Sequence, residues 1–331
     1  MPPTTPKLLQ GCAVGGVCID LARAETLALL GSGQSALLRT VAQHLTTNSG
    51  LTVSFVDGAE ALPSDRTVAQ NLALGLPPEH PDAEAIVNRW LHVLGLSGVS
   101  PLAPSALGLE AQRRIALGRA LAGSPDVLLL DDPFRGCDPD ERRRLGEALR
   151  LLQRHNGMAM ILATRHAPDA RGIADRVMVL CAGLLRQEGE TIAVYERPAN
   201  AFAARALGEV NFLPGVLDAV EDDVALVTLA TGVRVEGLLA DATIGAACLI
   251  AVRPERIAVA AVAADEMGEG AVPARVETCA HYGDHLRLGL SIGAARIVVR
   301  RPPGPPPQIG AEVSIAWQMT HAHAVGVDAG G

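Results

Sequence analysis

An apolar run, Glu25-Thr26-Leu27-Ala28-Leu29-Leu30, enters the glycine-bounded turn Gly31-Ser32-Gly33 and leaves it through Gln34-Ser35-Ala36-Leu37-Leu38-Arg39-Thr40-Val41-Ala42. The first part reads as a short buried strand. The last, with Leu37, Leu38 and Val41 at helical spacing, reads as the start of a helix. The same alternation continues downstream. Val53–Val56 reads as a strand, and residues 67–104 read as mostly helical, broken at Pro77-Pro78 and Pro81. Glu110–Ala122 follows as a helix. Asp126-Val127-Leu128-Leu129-Leu130-Asp131-Asp132 suits a strand covered on both faces of a parallel sheet. Glu141–His155 is an Arg-rich amphipathic helix, and Met158–Thr164 and Arg176–Leu180 are two further strands. Strands alternating with helices imply βαβ units and an α/β domain.

The texture changes near Asn211. Short Val- and Ala-rich strands then follow one another across turns such as Glu221-Asp222-Asp223 and Thr231-Gly232, the pattern of a small all-β barrel or sandwich. Arg301–Pro307 is a rigid Pro-rich loop inside it. The boundary is expected near Glu209, giving an α/β domain over 1–209 and a β-domain over 210–331.

A length of 331 residues suits two domains, and 49% apolar residues with only 19% charged exclude a disordered chain. No apolar run reaches the roughly 18 residues of a membrane span, and the start Met1-Pro2-Pro3-Thr4 lacks the order of a secretion signal, so a cytoplasmic location is expected. A net charge of −8 and 2% aromatics argue against nucleic acid as a partner. Lys7 is the only lysine. The six cysteines contain no C-x-x-C pair and read as small buried apolar residues. His281 and His285 are four apart, but Gly283 and the β-like Leu286–Leu290 oppose the helix a metal-binding pair would need.

Taken in order, several segments resemble the ATP-binding subunits of ABC importers that carry a carboxy-terminal TOBE, or OB-like, β-domain. They are Leu27–Arg39, Gln112–Leu121, Val127–Phe134 with Asp138, Ala174–Leu180 and Val194–Asn200. Phe212–Gly215, Val252–Glu255, Tyr282–His285 and Gly310–Trp317 fit the β-domain of the same group, whose members serve polyamine, ferric iron, sugar or aminoethylphosphonate uptake. The resemblance implies a P-loop NTPase fold with a helical subdomain, ATP and Mg²⁺ as cofactors, and ATP hydrolysis coupled to solute import. It also implies a place on the cytoplasmic face of the membrane. The implied partners are integral membrane permease subunits, a solute-binding protein and a second ATP-binding subunit in a homo- or heterodimer.

The residues that would hold nucleotide depart from the family pattern. A P-loop reads G-x-x-x-x-G-K-[ST], its amides wrapping phosphate, its Lys reaching the β/γ-phosphates and its hydroxyl holding Mg²⁺. In Gly31-Ser32-Gly33-Gln34-Ser35-Ala36 the loop is three residues short, Gln34 replaces the Lys, and Ala36 replaces a hydroxyl. An opposite charge at about 4 Å contributes roughly 4 kcal/mol near a surface, so the Lys→Gln change alone weakens ATP binding by orders of magnitude. The resemblance assigns Mg²⁺ to Ser35 and Asp131. It assigns the carboxylate that polarises the attacking water to Asp132, one methylene shorter than the usual Glu, and the switch position to Arg165, with His166 next to it. The signature that meets the partner subunit's nucleotide becomes Leu107-Gly108-Leu109-Glu110-Ala111, where Glu110 brings a carboxylate towards phosphate. The Mg²⁺-sensing Gln aligns with Gly58, and residues 8–24 offer no aromatic to stack on adenine.

Blander readings stand beside these. Gly31–Ser35 also reads as a tight strand-to-helix turn, Asp131 and Asp132 as the end of a buried strand, and Arg165 and His166 as solvated loop residues. Arg142-Arg143-Arg144 reads as a charged helix face, and Arg253 with Glu255 as either a functional loop pair or, the favoured reading, a surface ion pair. Three functions follow: an importer ATPase with impaired hydrolysis, a pseudo-ATPase acting as a regulatory or binding subunit, and a decayed transporter subunit. Weak activity or none is expected, because neither a homodimer nor a pairing with an intact partner yields a fully normal site.

Overall fold

The computed structural model describes residues 7–58, 62–261 and 270–327, which form two compact units, Met1–Thr191 and Ile192–Gly331. In the first, β1 (Lys7–Val14) and β2 (Val17–Ala22) form an antiparallel hairpin. There follow β3 (Thr26–Gly31), α1 (Gln34–Asn48), β4 (Val53–Asp57), α2 (Val68–Ala73), α3 (Ala83–Val93) and α4 (Leu109–Ala122). After these come β5 (Val127–Asp131), α5 (Pro139–Asn156), β6 (Ala159–Thr164), α6 (Ala167–Ile173), β7 (Arg176–Cys181), β8 (Leu184–Glu190) and α7 (Thr191–Glu196).

The sheet runs β4-β5-β6-β3-β7-β8, parallel except at the β7–β8 hairpin. Its centre explains the apolar runs of the sequence: Leu27–Leu30, Val127–Leu130 and Ala159–Ala163 are all nearly inaccessible because helices cover both faces. Full burial contributes roughly 1.5–3 kcal/mol for each large side chain, far more than an exposed ion pair, so these strands fix the frame of the site. On one face Leu37, Leu38, Val41 and Leu45 of α1 pack with Ile19 and Leu21 of the hairpin. On the other lie Leu72, Trp90, Ile115 and Leu121 from α2, α3 and α4.

Local signals set the helix ends. Asp138 and Glu141 cap α5 reciprocally, Pro139 opens its first turn, and Gly157 closes it in a left-handed conformation at φ 64°. Thr67 and Gln70 cap α2 in the same way.

The second unit holds most of α7, α8 (Ala201–Ala206), β9 (Asn211–Glu221), β10 (Val224–Leu229), β11 (Arg234–Leu239) and β12 (Ala247–Val252). It continues with β13 (Ala258–Ala261), β14 (Val272–His281), β15 (Leu286–Ile292), β16 (Ala295–Arg301), β17 (Glu312–Ala316) and β18 (Ala322–Gly326). Strands β10-β11-β18-β12-β9 close a barrel, and β13-β17-β14-β15-β16 form an open sheet that shares one apolar core with it. The expectation of a small all-β barrel-like domain holds, with a five-stranded sheet added beside the barrel. The last strand, β18, returns to close the barrel, antiparallel to β12 and parallel to β11.

The change of texture near Asn211 marks where the barrel strands begin, whereas the compact unit starts earlier than the expected boundary at Glu209, at Ile192. Ala201 of α8 packs against Ala251 and Val325 of the barrel, which draws the helical segment into the β-rich unit.

Arg253 reinforces that attachment and corrects its reading as a surface ion pair. It is buried, donates through Nη1 to the carbonyls of Ala204, Gly208 and Glu209 at 2.9, 3.1 and 3.2 Å, and through Nη2 to Tyr195 O at 3.1 Å. Its guanidinium also lies 4.0 Å from the centre of the Tyr195 ring, whose hydroxyl donates to Glu255 at 2.6 Å. The cysteines need correction too: Cys248 is buried, but Cys18 is exposed and the other four are intermediate.

Candidate functional site

The short loop between β3 and α1 is closed against the turn between β7 and β8. The Ser32 amide donates to Leu180 O at 3.1 Å, its carbonyl accepts from Gly183 N at 2.9 Å, and its hydroxyl accepts from Ala182 N at 2.8 Å. A phosphate cradle needs successive amides turned towards an open concavity. Here the amide, carbonyl and hydroxyl of Ser32 are all held by protein. Gly33 is required where it stands, at φ 84°, since a Cβ would lie 2.5 Å from Gly183 N. Gln34, at the lysine position, begins α1 and is 4% exposed. The start of α1 has no side-chain cap and no acidic residue in its first turn, so its free amides and dipole leave it open to an anion.

One residue further on, Ser35 and Asp131 come together: the Ser35 hydroxyl donates to Asp131 Oδ1 at 2.6 Å. The second oxygen of Asp131 faces Arg39, whose Nη2 lies 3.3 Å from Asp131 Oδ2 and 2.9 Å from Asp57 Oδ2. Asp57 is the register partner of Asp131 on the adjacent strand, and Arg39 stands four residues after Ser35 on the same face of α1. Mg²⁺ demands oxygen ligands in a near-octahedral shell. At Asp131 it would meet a hydroxyl donor on one oxygen and a guanidinium on the other. The residues as arranged do not fit the metal. Sequence reasoning missed Arg39. The available signal was its i, i+4 spacing from Ser35.

The candidate catalytic groups are held apart by different partners. Asp132 sits in the left-handed region at φ 49° and accepts from Arg135 Nε at 3.0 Å. The His166 ring has Nδ1 3.2 Å from Asp169 Oδ1, and Arg142 Nη1 grips both oxygens of Asp169 at 2.7 and 2.6 Å. Arg142 also donates to Phe134 O at 3.2 Å and lies over the Phe134 ring, so it is a tie between α5 and α6 and not part of a solvated charged face. Arg165 is exposed and makes no hydrogen bond or ion pair among the described residues.

Gly58, at the Mg²⁺-sensing position, donates its amide to Asp131 O at 2.9 Å. A Cβ there would overlap the Asp132 carbonyl oxygen, so this backbone has no room for a glutamine. In the signature segment Gly108 precedes α4, Leu109 is 54% exposed, and Gln112 Nε2 donates to Leu107 O at 2.9 Å. Glu110 pairs with Arg114 one turn on, and its charge in the first turn of α4 already satisfies the helix dipole that would otherwise attract phosphate. Ala111 packs against the core of the α/β unit.

Comparison with known proteins adds the following. Residues 250–325, from β12 to β18, match the TOBE domain family. The chain is 30% identical over 319 residues to the spermidine/putrescine import ATP-binding protein PotA of Pseudomonas fluorescens, a match that covers 88% of this chain and 84% of that protein. With the protein of the same name from Rubrobacter xylanophilus it shares 29% identity over 343 residues, covering 95% and 90%. With the sulfate/thiosulfate import ATP-binding protein CysA 2 of Chromobacterium violaceum it shares 34% over 223 residues, 61% of each chain.

Proposed function

The chain belongs to the ATP-binding subunits of ABC importers, and from that premise we propose that it keeps the subunit's scaffold while its own nucleotide corner neither binds Mg-ATP tightly nor turns it over. The observation that carries this reading is the closure of Ser32 onto Leu180, Ala182 and Gly183. Phosphate would have to displace three intramolecular hydrogen bonds to recover part of one cradle, with no lysine to repay the loss. The Arg39 guanidinium at Asp131, the Asp132–Arg135 pair and the absence of room for a side chain at Gly58 all act in the same direction.

In this reading Gly31, Ser32, Gly33, Gln34, Ser35 and Ala36 are the remnant of the phosphate loop, and Ser35 and Asp131 the remnant of the metal site. Asp132, Arg165 and His166 are the remnant of the hydrolytic groups, and Leu107–Ala111 that of the signature. The chain then acts as a pseudo-ATPase subunit, docking on permease subunits at the cytoplasmic face of the membrane beside a second ATP-binding subunit, in a system that includes a solute-binding protein. The packed α/β core and the matched TOBE segment support a retained binding role over decay. Among the described residues no helix is long and apolar enough to cross a membrane. The relatives' names divide between polyamines and sulfate, so they assign no cargo to this chain.

The test is phosphate release from Mg-ATP by the purified chain. Release at the level of the buffer, unchanged by Asp132→Asn, is expected. Turnover that disappears with Asp132→Asn would overturn the proposal.

A further inference from the structure

A cavity lies between α4, α5 and the end of α3, with a volume of about 300 Å³, and takes in Glu110 at the start of α4. This is the small end of the range for ligand pockets. Leu94, Leu117, Leu145, Leu149 and Leu152 make its wall. Set into that wall are three arginines, Arg113, Arg114 and Arg144, against two glutamates, Glu110 and Glu141.

Both glutamates are already engaged. Glu110 pairs with Arg114, and Glu141 accepts from the Asp138 amide at 3.1 Å in the cap of α5. Arg113 meets no carboxylate among the described residues. Its Nη1 donates to Cys137 Sγ at 3.0 Å, its Nη2 to Arg135 O, and its Nε is buried without a partner. Burial raises the pKa of Cys137, so the thiol that meets Arg113 stays neutral and leaves its charge uncompensated. Arg144 is exposed at the rim and has no partner among the described residues. A half-buried guanidinium facing only a thiol and a carbonyl is a costly arrangement unless an anion completes it.

We propose that this cavity binds a small amphipathic carboxylate, its hydrocarbon part against the leucine wall and its carboxylate between Arg113 and Arg144. An inorganic anion or a polyphosphate would gain nothing from the leucines, and a neutral hydrocarbon would leave the guanidinium charges uncompensated. The site is independent of ATP. Arg113 nevertheless holds the carbonyl of Arg135, the residue that pairs with Asp132, so the cavity wall adjoins the nucleotide corner.

Calorimetric titration of the full chain with octanoate, octanol and octylamine tests this. Saturable octanoate binding is expected, with octanol and octylamine each at least about tenfold weaker, the size of effect one charge-assisted contact supplies. Arg144→Gln, an exposed change that leaves the fold intact, should weaken octanoate about tenfold. Ala148→Trp, which fills the cavity, should abolish binding without lowering the melting temperature. Equal binding of octanoate and octanol, indifference to Arg144→Gln, binding that survives Ala148→Trp, or no octanoate binding at all would each overturn the proposal.

Discussion

The β3–α1 corner and the Arg253 hub of the C-terminal unit both centre on an arginine, and they use it in opposite ways. Arg39 is 60% exposed and lies across two carboxylates that would otherwise be available to a ligand. Arg253 is buried and gathers four backbone carbonyls and an aromatic ring. Screening by solvent makes the first arrangement nearly neutral for stability, whereas loss of the second strands buried acceptors. The same residue type thus bridges two carboxylates at an exposed edge in one place and ties backbone together in the other.

The sharpest way to break this comparison is Arg253→Ala. Losing charge-assisted bonds to Tyr195, Ala204, Gly208 and Glu209 should cost the C-terminal unit about 3–5 kcal/mol. Arg253→Lys should recover only part, because an ammonium cannot reproduce the planar fork. Urea denaturation followed by Trp317 fluorescence in a Trp90→Phe background reads this unit alone, since Trp317 packs at its core and donates to Glu236 O at 3.2 Å. A loss below about 1 kcal/mol would remove Arg253 from the structural side of the comparison.

His323, beside the same hub, offers a test by pH. Burial, and then the charges of Arg197, Arg253 and His321, lower its pKa from the ordinary 6.5 to about 4. The folded chain therefore holds the ring neutral where the unfolded chain protonates it. Stability is fully present above about pH 6.5, falls as the pH drops through that value, and levels off below about pH 4, for a total of about 3 kcal/mol. His323→Leu should flatten that part of the Trp317-monitored profile. A slope unchanged by the substitution would assign the acid sensitivity elsewhere.

What the sequence disclosed divides along the same line. Continuous apolar runs such as Leu27–Leu30 and Val127–Leu130 announced the central strands, because burial on both faces leaves no polar position. The β1–β2 hairpin and β8 escaped notice. Gly11, Gly15 and Gly16 interrupt the hairpin's alternation, and β8 carries exposed Leu184 and Leu185 beside polar residues, so neither shows a clean period. At the site, the short loop and Gln34 at the lysine position were what the family resemblance implied. The engagement of Ser32 by the β7–β8 turn was not legible, because those partners lie about 150 positions away. Arg142 and Arg253 were misread as surface charges for the same reason: their acceptors, Asp169 and the carbonyls of Tyr195, Ala204, Gly208 and Glu209, are distant in sequence.

The smallest effect on stability is expected at the corner itself. Arg39→Ala should change it by less than about 0.5 kcal/mol, as for other exposed pairs. It uncovers one oxygen of Asp131 but leaves Ser32 closed, so it should not restore nucleotide binding. Gln34→Lys should not either, since that side chain is buried. A nucleotide-binding gain from either variant, read by titration, would shift the block from the loop to that single residue.

Titration calorimetry of the full chain with Mg-ATP tests the closed corner most directly. The expected result is no saturable heat up to millimolar ATP from a protein that melts cooperatively. Micromolar binding that Asp131→Asn weakens would contradict it, and would mean that the short Ser32–Gly33 loop opens to cradle phosphate after all.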